Sequence, residues 1–335
     1  MTKPCKLRIL ALGVLAAALA GPTPLVRAQA ATSPFVIGVN AASRELPMIG
    51  TTGMTMVRMD HPDPAVIESA RRYGLEVLPI ADYGYPDLSE SDSWMLPPLP
   101  QHRGEWARRM VDTWRKMTNP PKVFEVWNEP WQSSFWGPKP DPAAYLALVQ
   151  AFAREAWAVW PNATVLVSAD DGLSDYPTFR RDLLAADTTG FLNDRRILPT
   201  THNYVGNRDP GQVTAKPCVW DLNRYECAYD DFKRHGHPNP QVWITEFGWE
   251  SDDDNPGYSL YGAVSERAQA YNTVQALLMF HASGKVAAAF SYMYLSDSRW
   301  NYNWVTPDNR EKLILPSVRR LAFFLRRKAG LASDD

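Results

Sequence analysis

Short apolar runs recur along the chain at residues 35–40, 54–59, 76–80, 123–127, 163–168, 196–201, 242–245 and 286–292. They are nearly continuous rather than alternating, which is the pattern of strands in a parallel sheet buried on both faces. Amphipathic stretches with helix punctuation lie between them. Pro64 opens a helix over 65–73 and Gly74 stops it. Asp141 and Pro142 give an N-cap and a first-turn proline for 143–160, and Pro161 follows directly. Ser265 can cap a helix running to Phe280, with Gly284 just beyond. Leu321, Phe324 and Leu325 stand at helical spacing and mark the buried face of a last helix that would cover the final edge of the sheet.

Eight strand–helix units of this kind predict an α/β fold, a (β/α)8 TIM barrel forming a single domain over residues 31–332. A doubly wound open sheet is the alternative. It would want a G-x-G-x-x-G turn after the first strand, where the chain instead has Gly38-Val39-Asn40.

The N-terminus reads as an export signal. Lys3, Lys6 and Arg8 precede an apolar stretch at 9–20, and Ala28-Gln29-Ala30 supplies a small-x-small cleavage site. Twelve apolar residues are too few for a bilayer, which needs about twenty. Residues 1–30 are therefore expected to be a removed signal peptide, and the mature protein to be secreted, extracellular or periplasmic. Loss of the leader takes Lys3, Lys6, Arg8 and Arg27 with it and moves the formal charge from −2 to −6. A mildly acidic chain without a basic run argues against nucleic acid or an anionic membrane as partner. Cys5 goes with the leader and leaves Cys218 and Cys227. In an oxidising compartment a disulfide between them is expected rather than two buried thiols. His235 and His237 give no familiar zinc spacing with them, so no metal site is expected.

In a (β/α)8 barrel the C-terminal ends of the strands face the active site. Those ends carry Asn40, Arg58, Asp60, Asp82, Tyr83, Asn128, Glu129, Asp170, Asp171, His202, Tyr204, Glu246, Tyr292 and Tyr294. Polar and aromatic groups collect there while the preceding positions are apolar. Glu129 ends the fourth run and Glu246 the seventh, on strands that lie nearly across the barrel mouth. Two facing carboxylates are what glycoside hydrolysis needs, one to protonate the leaving oxygen and one to attack or to activate water.

Asn128-Glu129-Pro130 after strand four, with Thr245-Glu246-Phe247-Gly248-Trp249 after strand seven, resembles the large clan of retaining glycoside hydrolases built on (β/α)8 barrels, particularly its family-39-like and family-5-like secreted members. The likeness extends to Val57-Arg58-Met59-Asp60, to the segment 135–145, and to His202-Asn203-Tyr204. The resemblance implies that Glu129 is the general acid/base and Glu246 the nucleophile. It implies also that Asn128 hydrogen-bonds the sugar 2-hydroxyl, that Arg58 lies beneath Glu246, and that Tyr204 donates to the nucleophile beside His202. Related enzymes place a tryptophan at the end of strand eight, where this chain has Tyr292.

The chain holds 13 Trp, and Trp94, Trp131, Trp136, Trp249, Trp300 and Trp304 fall in loops on the expected active-site face. Flat sugar faces stack on such rings, so these loops suggest several subsites, Trp131, Trp136 and Trp249 among them. Trp106, Trp114 and Trp157 lie in helical runs and are expected in the core. The acidic run at 252–254 reads as a solvated loop rather than a calcium site. No cofactor motif is present. The expected protein is thus a monomeric secreted glycosidase acting on a poly- or oligosaccharide. A transglycosylase and a non-catalytic carbohydrate-binding barrel are the alternatives.

Overall fold

The computed structural model describes residues 35–90, 96–171, 176–251, 259, 262–295, 301–306 and 308–330. The expected leader at 1–30, Trp94, Trp300 and the acidic run 252–254 lie outside these residues. Strands β1 (Val36–Asn40), β2 (Met56–Asp60), β3 (Glu76–Ala81), β4 (Val123–Val126), β5 (Thr164–Ser168), β6 (Ile197–His202), β7 (Val242–Phe247) and β8 (Val286–Ser291) close into one barrel in sequence order. Every neighbouring pair is parallel, including β1 with β8. The fold is therefore a (β/α)8 barrel, and the open-sheet alternative is set aside. Among the described residues, no helix is long and apolar enough to cross a membrane.

The helices begin and end where their punctuation places them. The helix Pro64–Arg72 stops before Gly74, which takes φ +74°, a conformation glycine adopts without steric cost. Asp141 caps Pro142–Val159 by accepting from the Ala144 amide at 2.9 Å, and Ser265 caps Glu266–Ser283 by accepting from Ala268 at 3.2 Å. The last helix, Ile314–Lys328, departs from expectation. Its buried face is Ile314, Leu315, Val318, Leu321 and Ala322, while Phe324 is 59% exposed. It covers no sheet edge, since a closed barrel has none. It packs beside Glu266–Ser283 instead, and that contact selects a stripe rotated away from Phe324.

Two cores hold the barrel. Inside it, Leu78, Leu166, Trp243, Ala288 and Phe290 fill the lower half. Gly38 makes this filling possible, because a Cβ there would meet the Phe290 ring at 2.4 Å. Outside it, a larger cluster between sheet and helices includes Trp106, Trp114, Phe124 and Phe152. Trp106 and Trp114 are core as expected, while Trp157 is partly buried beneath the Arg196 guanidinium, 3.6 Å from its ring centroid. Tyr145 joins the layers. Its hydroxyl donates to the Val126 carbonyl at 2.8 Å and accepts from the Ser168 amide at 2.8 Å, standing between β4 and β5.

Cys218 and Cys227 are joined as a disulfide. It links the short helix Pro217–Trp220 to Tyr225–His235 in the connection between β6 and β7. A cross-link closing a loop of this length stabilises by about 2–3 kcal/mol in the chain-entropy account.

Candidate active site

A cleft of about 820 Å³ opens at the C-terminal ends of the strands. Its floor and walls take side chains from the ends of β1, β2, β6 and β7 and from the residues just beyond β3, β4, β5 and β8, including Asn40, Arg58, Tyr83, Asn128, Glu129, Asp170, His202, Glu246 and Tyr292. Local backbone irregularities aim the central groups. Trp127 and Glu129 have φ of 64° and 43°, in a region that non-glycine residues seldom occupy. This kink beyond β4 turns Asn128 and Glu129 into the cleft, and strain of this kind gathers at functional positions. On β7 the register shifts between Ile244 and Phe247, so that adjacent Thr245 and Glu246 both reach the barrel interior. A shift in β6 between Thr201 and His202 sets His202 opposite Glu246.

One oxygen from each of Glu129 and Glu246 and a ring nitrogen of His202 all lie within 4.8 Å of one another. His202 Nδ1 is 2.7 Å from Glu129 Oε1 and 3.5 Å from Glu246 Oε2. Gln132 donates to the other Glu129 oxygen. Tyr204 donates its hydroxyl to Glu246 Oε2 at 2.7 Å. Arg58, 3% exposed, is the hub below. Its Nη1 reaches Glu246 Oε1 at 2.8 Å and Asn40 Oδ1 at 2.9 Å, its Nη2 donates to Asn128 Oδ1 at 2.9 Å, and its Nε to Glu125 Oε2 at 2.5 Å.

The two glutamates sit in opposite electrostatic settings. Burial pushes the Glu129 carboxyl up, and the neighbouring Glu246 charge adds to this against the pull of His202 and Arg58. Burial would push Glu246 up as well, yet the His202 and Arg58 charges and the hydrogen bonds from Tyr204 and Arg58 outweigh it and hold Glu246 below the ordinary glutamate value. His202 is desolvated, but the Glu246 charge and the Glu129 hydrogen bond keep its proton to higher pH than usual. Glu129, His202 and Glu246 are also the donor set that could take a cation. Arg58 and Tyr204 already engage both Glu246 oxygens, and this neutralising arrangement accounts for the cluster.

Arg58 bonds two buried carboxylates, with His202 adding its charge only at Glu246, so Arg58→Met is expected to destabilise the fold by about 3–5 kcal/mol, because it leaves Glu125 uncompensated inside the barrel. Urea denaturation of the variant beside wild type measures this.

Of the residues expected here, Arg58, Tyr83, Asn128, Glu129, Trp131, His202, Tyr204, Glu246 and Tyr292 line the cleft. Asp82, Trp136 and Trp249 do not, and lie behind its walls. Asp82 is fully buried, and burial together with the Asp60 charge pushes its carboxyl well above the usual range. Trp136 stacks edge-on against Trp127 and Tyr145. Trp249 is 1% exposed and donates to the Arg208 carbonyl at 2.8 Å. Trp304 is buried too, so among the described loop tryptophans only Trp131 reaches the cleft, edge-on to His202. Asp171 serves the fold, pairing with Arg180 at 2.7 Å.

Gln132, which bonds Glu129, escaped sequence reading, as did Glu125 and Tyr302. Glu125 is the buried counter-ion of Arg58, and its signal was a lone carboxylate inside an apolar run. Tyr302 lines the cleft and completes a cluster with Tyr204 and Tyr292, ring centroids 5.5 and 5.6 Å away. Gly248 permits this cluster, since a Cβ there would meet the Tyr292 carbonyl at 2.6 Å and the Tyr302 ring at 3.0 Å.

Comparison with known proteins returns structures alone. No family model matches the chain. No curated protein matches it either. Among solved structures, a family 39 glycoside hydrolase from the gut symbiont Bacteroides cellulosilyticus WH2 is similar at 18% identity and TM-score 0.65, covering 87% of this chain and 64% of that one. A family 39 β-xylosidase from Caulobacter crescentus is similar at 17% identity and TM-score 0.57, covering 87% of this chain and 71% of that one. A family 128 endo-β-1,3-glucanase from Sorangium cellulosum matches at 15% identity and TM-score 0.56, covering 85% and 97% of the respective chains. The protein thus has the barrel fold seen in these glycoside hydrolases, and it spans 64% of the length of the first of them.

Proposed function

We propose that the protein is a secreted retaining glycoside hydrolase that cleaves β-linked glycosidic bonds of a poly- or oligosaccharide by double displacement. The observation that carries this reading is the facing pair Glu129 and Glu246, within 4.8 Å oxygen to oxygen and biased in opposite protonation directions. Retaining enzymes hold their carboxyls about 5–5.5 Å apart, whereas inverting ones need roughly 6.5–9.5 Å to admit a water. Glu129, kept protonated, donates to the departing oxygen while ionised Glu246 attacks the anomeric carbon. Glu129 then takes the proton from the water that releases the sugar. Arg58 and Tyr204 orient the nucleophile, and Asn128, fixed by Arg58, is available to the sugar 2-hydroxyl. Tyr83, Trp131 and Tyr292 offer contacts to the substrate. The disulfide and the leader-like N-terminus support function outside the cytoplasm.

The test is a panel of β-linked polysaccharides and aryl β-glycosides, with products separated by chromatography and the first-formed anomer read by NMR. Release of the β-anomer is expected. The α-anomer first would end the double-displacement reading, and no release from any glycan would end the glycosidase reading. Longer products in the presence of an acceptor would make the enzyme a transglycosylase.

The pH dependence has a definite sign. Glu246 works ionised, so kcat/KM falls as pH drops through its lowered pKa. Glu129 works protonated, so kcat/KM falls as pH rises through its raised pKa. The profile of kcat/KM is expected to be a bell whose acid limb lies below the ordinary glutamate value and whose basic limb lies above it. Both limbs report the coupled pair rather than either residue alone.

A further inference from the structure

Arg58 brings one positive charge to two buried carboxylates. Its Nε–Glu125 Oε2 contact is 2.5 Å and its Nη1–Glu246 Oε1 contact 2.8 Å, and both acids are under a tenth exposed. Glu125 is placed away from the substrate and does not line the cleft. Its second oxygen accepts from the Thr245 hydroxyl at 2.9 Å, and the Thr200 hydroxyl stands 3.4 Å from it. A pairing of Arg58 with Glu246 alone would need none of this machinery, and the barrel interior would be cheaper to build with an apolar residue at 125. We propose that Glu125 is a positioning residue that divides the charge of Arg58 between itself and Glu246, and so sets how tightly the nucleophile is held as an anion. The proposal rests on the glycosidase reading above.

The physical need is a compromise. Glu246 must stay ionised beside a protonated Glu129, which calls for cationic support. Each interaction with its full negative charge also weakens as that charge passes into the new bond to the anomeric carbon, so excessive support raises the barrier. A second carboxylate on the same guanidinium lowers the support without moving Arg58. It fixes the plane of the fork as well, so that Nη1 and Nη2 stay aimed at Glu246 and Asn128. The remaining charged and titratable groups around the pair come from every side. Asp60 follows from β2, Asp82 from the end of β3, Glu129 from beyond β4 and Tyr145 from the helix outside it. His202 and Tyr204 come from β6, and Tyr292 from β8. Glu125 shares a direct hydrogen bond with Arg58, the cation that also binds Glu246, and none of these others does.

The test compares the pH profile of kcat/KM in wild type, Glu125→Gln and Thr245→Val. Glutamine keeps the shape of Glu125, can accept from Arg58 Nε through its oxygen and can donate to the threonine hydroxyls through its nitrogen. Arg58 then belongs to Glu246 alone, and the acid limb is expected to move down by about one pH unit. Thr245→Val removes a donor from Glu125, which makes Glu125 the stronger claimant on Arg58, and the acid limb is expected to move up by roughly half a unit. A purely structural role would lower activity in both variants with the limb unmoved. An active Glu125→Gln with an unmoved or raised limb overturns the proposal. If that variant does not fold, an unmoved or lowered limb in Thr245→Val overturns it. Should wild type hydrolyse no glycan, the glycosidase reading fails instead, and carboxyl 13C NMR titration of Glu246 in the same proteins reads the charge division without substrate.

Discussion

Glu246→Gln is expected to lower hydrolysis of every accepted glycan by about 10⁴-fold or more, the scale on which removal of a covalent nucleophile acts. Glutamine fits the same space and keeps one oxygen for Arg58 or Tyr204, so the loss is one of chemistry rather than of folding. Arg58 retains Glu125 as its counter-ion, and the variant should unfold within a few degrees of wild type. The loss should appear in kcat with little change in substrate binding, because the interaction removed exists in the bond-forming step. Mass spectrometry supplies a second reading. A slow 2-fluoro glycosyl donor should add one sugar mass to wild type and none to the variant. Residual activity near wild type would remove Glu246 from the mechanism.

Glu129→Ala should separate the two steps. With an unactivated alcohol as leaving group, kcat/KM is expected to fall about 10²–10⁴-fold, the usual contribution of general acid catalysis. With an acidic phenol, which departs without a proton, formation of the glycosyl-enzyme should be nearly normal and its hydrolysis should become slow. Added azide should then restore turnover and yield a β-glycosyl azide, since the small anion needs no base and enters the space the carboxyl left. Equal losses on both kinds of substrate, with no rescue, would place Glu129 outside proton transfer. The truncation removes the carboxyl whose deprotonation gives the basic limb, so that limb should vanish from the pH profile while an acid limb from Glu246 remains.

Much of this was legible in the sequence because burial on both faces of a sheet leaves a strong signature. All eight runs sit within two residues of the ends of the strands they became. Strand-end positions then located the cleft, since a closed parallel barrel fixes which end of each strand is open. What periodicity could not say was which way a loop ring turns. Trp136 and Trp249 stand in loops on the expected face, yet each finds an inward site, against Trp127 and at the Arg208 carbonyl respectively. That choice depends on the space between helices and strands, which no local pattern encodes. The register shift in β7 was equally hidden. It is why neighbouring Thr245 and Glu246 serve the same interior, where strict alternation would put one of them outside. Phe324 failed for a related reason, because the partner of the last helix was a neighbouring helix rather than an edge. Glu125 could have been found. A carboxylate in the middle of Phe124-Glu125-Val126 requires a cation at the same height, and Arg58 interrupts its own apolar run in the same manner.

The phenol of Tyr145 stands where adjacent staves would otherwise exchange a rung directly, and it is carried by the helix Pro142–Val159. The segment bearing Glu129 begins one residue past that rung. Its alignment is therefore borrowed from the outer shell of the protein, and a change at the far side of that helix would be felt at the crevice as a tilt of Glu129. Directed evolution of such a catalyst should accordingly leave this brace alone and seek new specificities on the opposite rim.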